Sequence, residues 1–265
     1  MLALHPIYLL TILKLKTVKQ LKFLPSLCIA FVFLFSSCGG GEEKTSDTTV
    51  TTDSTAMSDS TPAPEAPAST VSTTPQTVIV IKHKVADFAK WKAAYDEHDS
   101  VRLSYGIHNY VIGRGADDTN MVMVALRADD VDKAKAFGKD PSLKAAMKKG
   151  GVMGTPSVML NTIVYSDTAA NMSALRAMMN FKVKDWDTWK KAFDASTQVR
   201  TENGLSDRAY GYDVDDNHKV TLVLGINDTA KANAFWKSDL VKQRRAEGGV
   251  DGEVKRFIYN VAQKY

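Results

Sequence analysis

Residues able to move protons gather in a few short stretches of this chain. Strand alternation over Ile107 to Arg114 puts His108, Tyr110, Ile112 and Arg114 on one face. A matching stretch 98 residues later puts Ser206, Arg208, Tyr210 and Tyr212 on the corresponding face. Tyrosine and histidine can act as general acids and bases, as a cofactor-free oxygenation or an isomerisation requires. The same mixture of polar and aromatic groups suits a binding pocket, where a few converging polar groups orient a ligand. It also suits solvent-facing strand ends.

A second candidate lies on a helix. His98 stands four residues before Arg102, so both lie on one side of it. One reading makes His98 an acid or base held by Arg102 or a carboxylate, with the later copy, Ser196 and Arg200, a scaffold. The other places a partly buried histidine at a helix edge. Arg102 and Arg200 then serve the helix C-terminal dipole and lay their stems on the core. The residue types favour the second. The pairs Asp117-Asp118 and Asp215-Asp216 are ordinary turn formers whose side chains diverge, so no metal site is expected. Gly150-Gly151 and Gly248-Gly249 follow helical stretches, so they read as helix stops rather than phosphate cradles. No Gly-x-Ser-x-Gly, His-Glu-x-x-His or Cys-x-x-Cys-His occurs, and no cofactor is implied.

These residues sit in a duplicated frame. Lys84-Val85-Ala86-Asp87-Phe88-Ala89-Lys90-Trp91-Lys92 recurs as Lys182-Val183-Lys184-Asp185-Trp186-Asp187-Thr188-Trp189-Lys190. The same 98-residue offset pairs Val101-Arg102 with Val199-Arg200, Gly106 with Gly204 and Asp117-Asp118 with Asp215-Asp216. It continues through Ala134-x-Ala136-Phe137 with Ala232-x-Ala234-Phe235, and Gly150-Gly151-Val152 with Gly248-Gly249-Val250, without a gap. The chain carries an internal gene duplication.

Each copy reads strand, helix, strand, strand, helix, strand. Thr77 to His83 is a β-branched run, and Asp87 can cap the following helix. Phe88, Trp91, Tyr95 and Val101-Arg102 recur at helical spacing up to Gly106. Two strands, Ile107 to Arg114 and Met121 to Arg127, flank the turn Ala116 to Asn120. Helices begin at Asp130 and Pro141, and a last strand covers Ser157 to Tyr165. This is the ferredoxin-like split unit, α+β in class, with helices on one sheet face. Strands such as Val78-Ile79-Val80-Ile81 are apolar on both faces, so the second face also needs cover. The second copy can supply it, so the repeats are expected to pair within the chain, sheet to sheet, about a pseudo-twofold.

The pattern Val-x-Asp-Phe/Trp-x-x-Trp-Lys-x-x-Tyr/Phe-Asp, then Val-Arg-x-x-x-Gly, Ala-x-Ala-Phe and Gly-Gly-Val resembles the dimeric α+β barrel superfamily. The likeness is nearest its antibiotic-biosynthesis-monooxygenase-like and "cyclase"-type members, and covers both repeats. It implies two ferredoxin-like βαββαβ units forming an intramolecular barrel, with a pocket in each. That family includes cofactor-free oxygenases, isomerases and haem-binding members, and lends no shared catalytic motif to carry over.

Charge separates the rest of the chain. Of the formal +4, all four charges lie in residues 1–37, as Lys14, Lys16, Lys19 and Lys22 without an acidic residue. From Cys38 on, 30 basic residues balance 30 acidic ones, which argues against a nucleic-acid partner. The apolar run Phe23 to Phe35, followed by Ser36-Ser37-Cys38-Gly39, resembles a bacterial lipobox, and Phe-Ser-Ser-Cys-Gly-Gly-Gly resembles lipoproteins of the Bacteroidetes. The resemblance implies cleavage before Cys38 and acylation of its thiol, which would anchor the protein in the outer membrane of a cell envelope. Cys28, the other cysteine, would leave with the signal segment, so no disulfide remains. The expected organisation is a signal peptide at 1–37, a disordered Ser/Thr/Pro/Asp-rich tether at 38–76, repeat one at 77–167 and repeat two at 168–265. The functional expectation is an envelope module that binds a small apolar ligand or a partner. A cofactor-free monooxygenase-like or isomerase-like enzyme is the alternative.

Overall fold

The computed structural model describes residues 70–170 and 173–265; the expected signal segment, Cys38 and most of the expected tether lie outside the described residues. Repeat one contains β2 (Gln76–Val85), α1 (Phe88–Glu97), α2 (Asp99–Ser104), β3 (Ile107–Gly115), β4 (Met121–Ala128), α3 (Val131–Phe137), α4 (Pro141–Lys149) and β5 (Val152–Asp167). A short β1 (Val71–Ser72) precedes them and pairs with the end of β5, so ordered pairing starts a few residues before the expected boundary. Repeat two contains β6 (Leu175–Val183), α5 (Trp186–Asp194), α6 (Thr197–Glu202), β7 (Leu205–Asp213), β8 (Asp216–Ile226), α7 (Thr229–Lys237), α8 (Asp239–Glu247) and β9 (Val250–Lys264). Among the described residues no helix is long and apolar enough to cross a membrane.

The duplicated aspartates start the helices as expected. Asp87 accepts from the Lys90 backbone N–H at 2.7 Å, and Asp185 from that of Thr188 at 2.7 Å. Asp130 and Asp228 do the same for Lys133 and Lys231. The long first helix, however, is broken. His98 has ψ near 5°, which ends α1, and α2 restarts at Asp99. The carbonyls freed at the break are satisfied from below: Arg102 donates to the Tyr95 carbonyl at 2.7 Å, and Arg200 donates to that of Phe193 at 2.7 Å in the second copy.

The strands form one antiparallel sheet in the order β1-β5-β2-β4-β3-β9-β6-β8-β7, and β7 returns to pair with β5. Eight strands therefore close a barrel, four from each repeat. Its two seams are β3 with β9 and β5 with β7, and they are equivalent: Gly113 faces Val261 across one, Gly211 faces Ile163 across the other. Both glycines are needed for close approach. A Cβ on Gly211 would overlap the Thr162 carbonyl, and one on Gly113 would overlap the Tyr259 ring. Because the strand order repeats after four antiparallel strands, the pseudo-twofold runs along the barrel axis, and equivalent residues lie at the same barrel end.

Double-sided apolar strands have the cover they need. Ile79, Ile81, Val124 and Leu126 pack outward under α1 to α4 with Trp91 and Phe137. Met179, Leu222 and Leu224 pack outward in repeat two with Trp189 and Phe235. Val78, Val80, Met123, Ala125, Ile163, Met178 and Tyr259 point inward and form a third core inside the barrel.

Candidate functional site

The expected strand face is split by β-bulges. Residues Asn109 and Val111 pair with the consecutive Leu126 and Ala125, leaving Tyr110 as the extra residue; Arg208 is the extra residue between Asp207 and Ala209. A bulge resets alternation. Tyr110 and Val111 both turn into the barrel, while Ile112 packs under the helices. Arg114 goes to the helix side too: its guanidinium lies 4.2 Å over the Phe88 ring and its Nε donates to the Thr119 carbonyl. His108 lies at an exposed strand end, 3.0 Å from Asp129. In repeat two, Arg208 enters the barrel, but Tyr210 and Tyr212 face the helices. Tyr210 donates to Asp194 at 2.8 Å and stacks on Tyr165; Tyr212 lies edge-on to Trp186. Burial and the Asp194 bond push the Tyr210 phenol up, so it holds its proton. The single shared face expected for these residues is thus corrected: of the six strand candidates, only Tyr110 and Arg208 meet in the barrel.

What they meet around is a cavity of about 300 Å³ at one end of the barrel interior, with strands of both repeats in its wall. That is at the lower end of small-molecule pockets. Val78, Val80, Met178, Val223 and Val261 supply apolar wall. Arg127, Arg176 and Arg208 supply charge. Arg208 pairs with Asp167 at 3.3 Å and donates to the Ala169 carbonyl. Arg176, 4% exposed, is held by the Ser173 and Leu175 carbonyls and has no carboxylate partner among the described residues. Burial, then the neighbouring charge of Arg208, lowers its pKa. Half-buried Arg127 lies 4.0 Å over the Tyr110 ring, with its Nε buried and unpartnered.

Arg127 and Arg176 were not singled out from sequence. A signal existed in the repeat offset: Arg127 stands where repeat two has Gly225, Arg176 where repeat one has Val78, and Arg208 where repeat one has Tyr110. A charged residue inside a strand whose copy is apolar or glycine marks a position released from the common fold.

A second, smaller site lies between the helices and the sheet of repeat one. His83, Trp91, Tyr95, His98 and Arg102 line a cavity of about 50 Å³ there. The corresponding space in repeat two, lined by Phe181, Trp189, Ser196 and Arg200, is about 90 Å³. His83 is 5% exposed and neither ring nitrogen has a hydrogen-bond partner. Burial lowers its pKa to about 4, so the ring is neutral near pH 7. The Nε2 of His98 is 2.9 Å from the Ser142 hydroxyl, and burial followed by the Arg102 charge lowers its pKa. Arg102 and Arg200 are both buried and engaged in the helix break: Arg102 also binds Asp99, and Arg200 grips Asp207 with two bonds of 2.6 Å. The repeat-one space is well below the roughly 300 Å³ at which small-molecule pockets begin. Among the described residues no three His, Cys, Asp or Glu side chains converge as metal ligands.

No family model and no curated protein matches this sequence. Solved structures do match by shape. An anthrone oxidase-like protein superimposes with a TM-score of 0.50 at 11% identity, over 72% of this chain and 92% of that one. A mutant chlorite dismutase from Candidatus Nitrospira defluvii gives 0.45 at 11% identity, over 74% and 93%. A monooxygenase-like protein from Listeria innocua gives 0.41 at 9% identity, over 73% and 98%. At such identity the likeness speaks to fold alone, and the match at a TM-score of 0.50 agrees with the mixed α+β architecture and closed antiparallel sheet. The chain has the dimeric α+β barrel fold, with both halves of the barrel supplied by one polypeptide.

Proposed function

We propose that this protein is a binding module of the cell envelope, tethered through acylated Cys38, whose fused barrel holds a small ligand in its interior. The observation that carries this reading is the 300 Å³ cavity, which unites an apolar wall with arginines found in only one copy of each repeat position. A folding-only role gives no reason for repeats to diverge at cavity-lining positions while keeping their helix caps and seam glycines. The test is titration of the full chain with the neutral apolar probe N-phenyl-1-naphthylamine, followed by fluorescence. One site per chain is expected, abolished by Ala125→Trp, which fills the cavity. Binding unchanged by that substitution would refute the interior site. For the address, Cys38→Ala should release the protein from membranes, and unchanged retention would refute the anchor.

A second reading is favoured by one feature. Neutral His83, with two unpartnered nitrogens beside Trp91, can accept a proton in a water-poor space. That is the requirement of the cofactor-free oxygenase or isomerase alternative. Its site would be in repeat one alone, since Phe181 and Ser196 replace His83 and His98 in the copy.

A further inference from the structure

Charge inside the barrel is unbalanced. Arg127, Arg176, Arg208 and Lys264 border the cavity, against Asp167 as its one carboxylate side chain among the described lining residues. Asp167 is engaged by Arg208. Neither Arg127 nor Arg176 has a carboxylate within ion-pair distance among the described residues. Cations removed from water need an anion or a full set of acceptors. Buried Arg176 has two backbone carbonyls; Arg127 is half-buried, with an aromatic face beside it and its Nε buried without a hydrogen-bond partner among the described residues. Arginine clusters of this kind recognise planar oxyanions through paired N–H donors. Because the pseudo-twofold lies along the barrel axis, Arg127, Arg176 and Arg208 occupy one end of the cavity, with the side chains of Val80, Met123 and Met178 deeper in the same interior core.

We infer that the ligand of this cavity is an amphipathic organic acid, its carboxylate at Arg127, Arg176 and Arg208 and its apolar body along Val80, Met123 and Met178. A polyanion such as a nucleotide would leave polar groups against the apolar wall. A neutral hydrocarbon would leave the arginines unanswered. This inference rests on the interior being the binding site, and the two fail separately.

The experiment is calorimetric titration of the full chain with octanoate and, as its uncharged match, octanol. Octanoate should bind one per chain, and octanol about tenfold or more weakly, as expected for charge-assisted bonds. Arg127→Gln should weaken octanoate by a similar factor while leaving octanol unchanged. Among the described residues the buried Arg127 Nε has no hydrogen-bond partner to lose, so this variant should keep its circular dichroism spectrum. Arg208→Gln is the second variant, with Asp167 freed in the same step. Equal binding of octanoate and octanol, or octanoate binding insensitive to both substitutions, would overturn the organic-acid assignment and leave the cavity reading standing. The same holds if the naphthylamine binds and octanoate does not. Octanoate binding that survives Ala125→Trp would instead overturn the interior site itself.

Discussion

Arg200 and Arg102 are equivalent residues in equivalent helix breaks, yet their surroundings predict different energetic weights. Arg200 meets Asp207 through two short bonds, and that carboxylate is only 12% exposed. Arg102 meets Asp99, which is 41% exposed and stays hydrated when its partner is lost. Removing one member of a buried pair costs about 3–5 kcal/mol. Arg200→Ala should approach that cost and Arg102→Ala should fall clearly below it; urea unfolding of both variants checks the order. His83 gives a pH dependence. Its folded pKa of about 4 is below the unfolded value of 6.5, so the unfolded chain binds the extra proton between those values. Stability is therefore full above about pH 6.5 and falls as pH drops towards 4, by about 1.4 kcal/mol per unit at most. His83→Phe, the residue of the other repeat, should flatten that part of the profile in denaturant midpoints measured from pH 7 to 4. Buried His98, also lowered, leaves a smaller slope of the same sign.

At the scale of elements, the duplicated caps and the strand–helix order were legible because they depend on neighbours a few residues apart. An aspartate with an apolar residue following it specifies a helix start wherever the chain later goes. The bulges at Tyr110 and Arg208 were not legible. A bulge is a property of two strands in register, and strict alternation along one of them sent Tyr210, Tyr212 and Arg114 to the wrong face. The break at His98 escaped for a related reason: the apolar spacing continues across it, and the arginine that stabilises it is read only once the carbonyl it reaches is known. The seams make their own prediction. Gly211→Ala would drive a methyl into the β5 backbone at Thr162, where no flexible side chain can yield. Gly113→Ala meets the Tyr259 ring, which has room to swing towards the cavity. Both substitutions should destabilise, by about 1–3 kcal/mol for overpacking, with Gly211→Ala the worse in thermal unfolding. Gly113→Ala alone should also reduce naphthylamine binding.

The described residues fold around three cores, and the middle one belongs to neither repeat. Val78, Val80 and Met123 from one copy need Met178 and Tyr259 from the other. Unfolding of residues 70–265 should therefore be a single transition, with calorimetric and van't Hoff enthalpies in agreement. Two separated transitions would show that the repeats are independent. Expressed apart, the halves should expose their inward valines and recover native circular dichroism only when mixed one to one.

Sequence alone determined that this chain is duplicated, that each copy is a split βαββαβ unit, and that its strands need cover on both faces. Those conclusions follow from periodicity and capping, which are local, and from a repeat offset, which is visible by comparison of the chain with itself. Only the tertiary structure decided which side chains share the interior. That depends on the closing seams and on two single-residue bulges, whose register is set by hydrogen bonding between strands far apart in the chain. Arg127, Arg176 and Arg208 come from three strands and two repeats, and no spacing along the chain brings them together.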